Sequence, residues 1–255
     1  MGHIRSRDQR IKSEKMRVFL ILSLTAASWM LGAAELTELQ RARDRQDRTA
    51  LDKIVTETRS SAEKQSDNPE AQYRLALAES YAAEVSVEVR DKAQAKSFAE
   101  AGIQAAERAV ALRGANGEYY RILGTLCGQM ISSNGIAALK YGKCALDSVN
   151  KAIELDPKSS DAYLSHGVGN YYLPSALGGG VDLAIKDFRK AIELNPKSAD
   201  AYLWLGVALR KSNQNAEARH ALEKAVELNP NRIWARQQLD KTPSDRPPLE
   251  KAPTQ

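Results

Sequence analysis

The sequence predicts an all-α fold, a solenoid of stacked helix-turn-helix repeats, and three observations predict it. Ala, Leu, Glu, Lys and Arg dominate the 255 residues, while aromatics make up only 6%. That mixture favours helices over a sandwich or barrel. Three segments end alike: NKAIELDPKSSDAY (150–163), RKAIELNPKSADAY (189–202) and EKAVELNPNRIWAR (223–236). Their prolines, Pro157, Pro196 and Pro230, recur at an interval of 39 and then 34 residues. Finally, the residues between prolines fall into two runs of helical apolar spacing, the pattern of a unit that must stack on its neighbours.

The chain begins with a leader, residues 1–34. It carries six basic side chains (Arg5, Arg7, Arg10, Lys12, Lys15, Arg17) against Asp8 and Glu14. Most of the net charge of +5 therefore sits there, and the remaining residues are nearly neutral. Such a body lacks the concentrated basic face that nucleic-acid binding needs. Val18 to Leu31 is an apolar run too short for a bilayer span of about 20 residues. With basic residues before it and Gly32-Ala33-Ala34 after it, the segment has the layout of a secretory signal peptide cleaved before Glu35. An uncleaved signal anchor is the alternative, and either Met1 or Met16 serves as the start. The expected location is exported, periplasmic or extracellular, with no membrane span left after cleavage. Residues 35–68 read as a charged helix ahead of the array.

The clearest repeat is 199–232. AYLWLGVALRKS forms its first helix, and Asn213 stands where a left-handed residue would end it. AEARHALEKAVELNP forms the second, stopped at Asn229-Pro230. Gly206 on the first helix and Ala218 and Ala225 on the second are small, as close approach of two antiparallel helices requires. Tyr202, Leu205, Leu222 and Leu228 fill the alternate spaces.

Tyr202, Leu205, Gly206, Ala218, Leu222, Ala225 and Pro230 together resemble the tetratricopeptide repeat, with Leu209 in place of its second aromatic. The resemblance implies a TPR-like superhelix. It extends backwards with falling quality. Unit 160–198 matches at Tyr163, Gly167, Ala184, Phe188, Ala191 and Pro196, departs at His166 and Asn170, and has extra residues around LPSALGGG (173–180). Unit 117–159 matches at Tyr120, Leu123, Gly124, Ala145, Val149, Ala152 and Pro157, with an excess near ISSNGIAALK (131–140). A degenerate unit spans 69–116, where EVSVEVRDKAQAKSFAE (84–100) looks like an insertion extending one helix. Residues 231–240, with Ile233, Trp234 and Leu239, are expected to cap the open end. From Lys241 to Gln255 a proline-rich disordered tail is expected. Pro174, Leu177, Gly178, Gly179 and Asp182 are similar to a Pro-x-x-Leu-Gly-Gly loop of some exported bacterial repeat proteins, among them periplasmic partner subunits of certain tripartite solute transporters.

Catalytic chemistry finds little footing. Gly178-Gly179-Gly180 has neither the following Lys-Ser/Thr of a phosphate loop nor a nucleophile elbow, and reads as a turn needing positive φ. The three His and two Cys have no zinc spacing. Cys127 and Cys144 lie one on each helix of a unit, as two buried thiols or as a disulfide that an exported compartment would favour. His166 is expected to be satisfied at a helix interface and His220 to be solvated. Enzyme activity, cofactor and metal are therefore not expected.

The family's geometry assigns the inner, partner-binding face to set offsets on the first helices. Here they hold Glu118, Arg121, Thr125 and Gln129; Asp161, Leu164, Val168, Tyr171 and Tyr172; and Asp200, Leu203, Val207, Arg210 and Lys211. The family's Lys/Asn clamp for a terminal carboxylate is not supported, because Arg121 and Thr125, Leu164 and Val168, and Leu203 and Val207 occupy those places. The expected function is a protein-interaction scaffold whose groove takes an apolar peptide segment or helix, oriented by Arg210 and Lys211. Substituting Arg121 or Tyr171 by Ala should then weaken partner binding without unfolding the chain. The alternative is a periplasmic accessory subunit of a solute transporter, with a small ligand beside Tyr171 and Tyr172. Self-association is compatible with either.

Overall fold

The computed structural model describes residues 35–133 and 137–243. The leader and residues 244–255 lie outside them, so the signal peptide and most of the expected tail are not among the features seen. The described residues form helices and their connecting turns, without a strand. The chain divides into two compact units, residues 1–41 and residues 42–255, and the repeats all belong to the second.

Residues 35–44 are helical (α1). The expected single charged helix over 35–68 is broken at Gln46, whose φ is +52°, and resumes as α2 (Arg48–Lys64). Asp47 caps α2, its side chain accepting from the Ala50 amide. Next come α3 (Pro69–Glu88) and α4 (Lys92–Leu112). Residues 84–100 do not extend one helix: they lengthen both, with a tight turn between at Arg90, φ +65°. Asp91 caps α4 by accepting from the Gln94 amide.

Two further pairs follow, α5 (Gly117–Ser133) with α6 (Ala137–Leu155), and α7 (Ser160–Tyr172) with α8 (Val181–Leu194). A short 3-10 turn, Ser175–Leu177, lies inside the second pair. There Gly178 and Gly180 take φ of +86° and +127°, which L side chains rarely adopt. The last pair is α9 (Ala199–Lys211) with α10 (Asn215–Leu228), and α11 (Ile233–Asp240) packs on both. Ser159 and Ser198 cap α7 and α9 by accepting from the amides of Ala162 and Ala201.

Small residues set the spacing of each pair. A Cβ on Gly206 would stand 2.5 Å from Leu222 Cγ and 2.9 Å from the Ala218 carbonyl oxygen. On Gly124 it would lie 2.4 Å from Val149 Cγ2, and on Gly167, 2.5 Å from Phe188 Cε1. Three pairs thus repeat one solution: hydrogen at the crossing on the first helix, a bulky side chain of the second lying over it. Ala184, Phe188, Leu205, Leu209, Ala218 and Leu222 are among the buried residues of the core shared by the last two pairs and α11.

Of the tail expected from Lys241 onward, only residues 241–243 are described, and they pack on the array through Thr242. Thr242 is buried, and its hydroxyl accepts from Arg210.

Candidate functional site

First helices α3, α5, α7 and α9 contact one another in series, so each contributes one stripe to a common inner face. Their first turns are acidic: Glu70, Glu118, Asp161 and Asp200. A carboxylate there suits the positive end of the helix dipole. Repetition of the same offset lines the inner face with negative charge.

This face closes on itself through residues whose roles the sequence does not announce. Arg232, just before α11 and 1% exposed, donates from Nη2 to Glu84 Oε1 at 2.8 Å and also to Glu88, and from Nη1 to Glu88 Oε2 at 3.0 Å. The last unit therefore bonds the first array helix, 144 residues earlier. Between them sits Arg43. Its Nη1 donates to Asp200 Oδ2 at 2.8 Å, its Nε and Nη2 to Asp44 Oδ1, and its guanidinium lies 4.9 Å from the centroid of the Tyr81 ring. Gln46 donates to Glu88 at 2.8 Å, and Asn229 donates to Asp44 at 2.8 Å. Four carboxylates (Asp44, Glu84, Glu88, Asp200) thus surround two guanidinium groups (Arg43, Arg232). Burial pushes the Glu84 carboxyl up to about 7 despite both arginines, and Glu88 and Asp200 push the same way. Burial pushes Asp200 upward too, but Arg43 and Arg232 outweigh it and hold its carboxyl below the ordinary range.

The predicted groove residues meet different fates. Arg121, its side chain 13% exposed, is paired to Glu118 and reaches Ser165 at 3.4 Å. Thr125 donates to the Arg121 carbonyl and to the Ser165 hydroxyl at 3.0 Å. Both join α5 to α7, and the Glu118 that Arg121 holds also accepts from the Tyr73 hydroxyl at 2.9 Å. Burial pushes Glu118 upward, yet Arg121 and Tyr73 bring it net below its ordinary range. Arg121, expected as a contact for a partner, thus also neutralises a half-buried carboxylate within the chain.

Leu203 and Val207 are 1% and 4% exposed and belong to the core, so neither offers surface to a partner. Arg210 donates to the Gln238 carbonyl, the Gln238 side chain and Thr242, fastening α11. Lys211 donates to the Tyr171 carbonyl at 3.0 Å and lies 4.1 Å from the centroid of its ring. Both cations expected to orient a ligand are thus engaged within the chain. Leu164, Val168, Tyr171 and Tyr172 are partly buried against the last two units. The Tyr171 and Tyr172 rings stand 5.7 and 6.0 Å from Trp204, which in turn stands 5.1 Å from Trp234.

Cys127 of α5 and Cys144 of α6 are joined as a disulfide, with Cα atoms 6.0 Å apart. His166 is hydrogen-bonded to Asp187 at 2.9 Å, and Asn170 donates to the same carboxylate at 2.8 Å. The two departures from the repeat pattern in this unit therefore share one partner. A separate open cleft of about 420 Å³ lies between α2, α3 and α4. In its floor Glu79 is 0% exposed, accepting from Arg59 at 2.5 Å. Among the described residues no cluster of His, Cys, Asp and Glu is arranged to hold a metal ion, and no helix is long and apolar enough to cross a membrane.

A solved structure of a known protein shares this architecture. The crystal structure of TTC0263, a thermophilic TPR protein of Thermus thermophilus, superposes with a TM-score of 0.60 at 17% identity, over 81% of this chain and 97% of that one. Two others give lower scores. YrrB, a TPR protein with an unusual peptide-binding site, has 0.40 at 23% identity over 74% and 83% of the two chains. MamA from Desulfovibrio magneticus RS-1 has 0.43 at 15% identity over 79% and 96%. No curated protein matches the chain. Among family models, one for a tetratricopeptide repeat matches residues 178–233. A second, described as Regulator of microtubule dynamics protein 1-3, matches residues 35–176, more than half of the sequence. The two matches meet in the loop between α7 and α8, so one continuous array carries both. With its paired helices, recurrent Gly crossings and inner face, the chain is a protein-interaction scaffold of the tetratricopeptide type and belongs to the regulator of microtubule dynamics protein 1-3 family.

Proposed function

We propose that this scaffold docks an apolar segment or helix of another protein on α7, along Leu164, Val168 and Tyr171. One observation carries the reading. These side chains follow each other at spacings of four and three, on one face of a helix, and remain only partly buried. Their counterparts on α9, Leu203 and Val207, are covered. An apolar strip at this spacing suits the anchors of a helix-in-groove contact. Val168→Glu places a charge in the strip without removing an intrachain hydrogen bond. Affinity capture from the cell envelope with the full chain should lose a specific partner in this variant and keep it in a control at exposed His220→Ala. Equal capture by both variants rejects the strip.

We further propose that the chain works in an oxidising, exported compartment. The disulfide between Cys127 and Cys144 supports this, since structural disulfides persist where thiols are not kept reduced. The basic and apolar leader supports it independently. N-terminal sequencing of the native protein tests it: a start at Glu35 is expected, and a start at Met1 or Met16 rejects cleavage.

A further inference from the structure

We propose that the cleft between α2, α3 and α4 binds a small aliphatic amine, whose ammonium group donates to Glu79 Oε2 while its hydrocarbon part lies along the cleft wall. This site is separate from the strip on α7 and from the inner face. Gln72, Leu75 and Glu79 line the cleft and follow each other at three and four on one side of α3, whereas Tyr81, Glu84 and Glu88 lie on its opposite side.

Glu79 is the group that calls for a ligand. Its side chain is fully buried, yet only Oε1 is answered, by Arg59 Nη2 at 2.5 Å; among the described residues Oε2 has no hydrogen-bond partner. A buried acceptor left in this state is costly. Protonation does not answer it, because a hydroxyl at Oε2 would need an acceptor in turn. Burial pushes the Glu79 carboxyl upward and outweighs Arg59, so a single cation at one oxygen undercompensates the charge. A cationic donor at Oε2 supplies both the missing bond and the missing charge. The same place in the later units is completed from within the chain. Glu79 stands three residues after Ala76, as Cys127, Asn170 and Leu209 stand three after Gly124, Gly167 and Gly206. Cys127 is bonded to Cys144 on α6, Asn170 donates to Asp187 on α8, and Leu209 is buried in the core. Against Glu79, α4 sets Gly102, where an added Cβ would stand 3.0 Å from Glu79 Cβ, a residue with no side-chain donor to give.

The cleft fits such a ligand in size and lining. Its volume of about 420 Å³ lies within the roughly 300–1,000 Å³ of small-molecule sites. Ala62, Leu75, Ala101 and Ala105 give it walls of methyl groups beside the carboxylate. A short alkyl chain gains from covering them, and the ammonium fixes its direction. Arg59 is the side chain that must give way. It is 49% exposed, and its long flexible stem lets the guanidinium swing toward solvent when a ligand arrives.

The test titrates the full chain, isotope-labelled, with n-butylammonium and separately with 1-butanol, followed by amide chemical shifts in two-dimensional NMR. The ammonium probe should shift amides of α2, α3 and α4 around the cleft and saturate at a concentration at least tenfold below that of the alcohol. Glu79→Gln should raise the half-saturating concentration of n-butylammonium at least tenfold and leave that of 1-butanol within about twofold. Equal half-saturation by the two probes in wild type overturns the proposal, as do shifts confined to the carboxylates of the inner face. A folded Glu79→Gln protein that binds the ammonium as wild type does overturns it too. Should that variant fail to fold, Gln104→Trp decides. Gln104 is exposed and lines the cleft, so an indole there fills the space and leaves Glu79 in place. It should likewise raise the half-saturating concentration at least tenfold, and unchanged binding overturns the proposal.

Discussion

Replacing Gly206 by Ala should destabilise the chain, although Ala is the better helix former. Two effects compete. Within a helix, Gly→Ala gains about 1 kcal/mol from propensity. Against it, the new Cβ meets Leu222 Cγ at 2.5 Å, Leu222 Cδ2 at 3.0 Å and the Ala218 carbonyl oxygen at 2.9 Å. Leu222 is completely buried, and its Cγ is a branch point that cannot swing aside. The carbonyl is part of α10 itself. Relief must come from moving α10 away from α9, and overpacking of this kind costs about 1–3 kcal/mol. Two backbone-proximal collisions place it at the upper end, so the net loss should be about 1–2 kcal/mol once the roughly 1 kcal/mol propensity gain is subtracted. Gly169→Ala is the matched control, since its Cβ meets nothing within 4 Å and only the gain of up to about 1 kcal/mol remains. Urea unfolding followed by far-UV circular dichroism reads both midpoints. Repeat arrays can unfold in parts, so hydrogen exchange over α9 and α10 should accompany it. A Gly206→Ala protein as stable as wild type, or more so, refutes the reasoning that a close crossing fixes each helix pair.

Three other outcomes are expected. Arg121→Ala should lower the unfolding midpoint, by roughly 1–3 kcal/mol, because it leaves Glu118 half-buried without its cation; an unchanged melt would restore Arg121 as a free groove residue. Stability should decline as pH rises from about 4.5 to about 7, because burial raises the folded Glu84 carboxyl to about 7 against an ordinary 4.5 and the folded state then holds the proton longer. Glu84→Gln should flatten that slope in thermal melts across the range, and an unaltered slope would assign it elsewhere. Reducing the Cys127–Cys144 bond, which spans 17 residues of sequence, should cost about 3 kcal/mol in urea unfolding with and without reductant; identical curves would mean the bond constrains nothing.

What could be read from the sequence was what depends on neighbours in a repeat. Gly124, Gly167 and Gly206 recur because a close crossing has one cheap solution, and prolines at 157, 196 and 230 stand in the turns that follow second helices. Less legible were turns built from ordinary residues. Gln46 and Arg90 both adopt positive φ, each just before an Asp that caps the next helix. No Gly or Asn marked these places, and only the caps, Asp47 and Asp91, were visible in principle. The inner-face cluster was hidden for another reason. Its partners lie 144 and 157 residues apart, so no local pattern joins them. One hint existed: Glu84 and Glu88 are like charges four apart in the second half of α3, where no cationic side chain of the helix stands beside them, a pairing that repels unless a cation arrives from elsewhere. Leu203 and Val207 were misassigned because family offsets describe an open face, whereas in this chain those side chains are packed into the core shared with α11.

The claim on which the account turns is that the array's last unit is bonded to its first, with the acidic inner face between them. A double-mutant cycle on Glu88→Gln and Arg232→Met measures that bond directly, in unfolding free energy. Coupling of about 1–3 kcal/mol between residues so distant in sequence is the expected result. Effects that simply add, within about 0.5 kcal/mol, would mean the two ends do not meet.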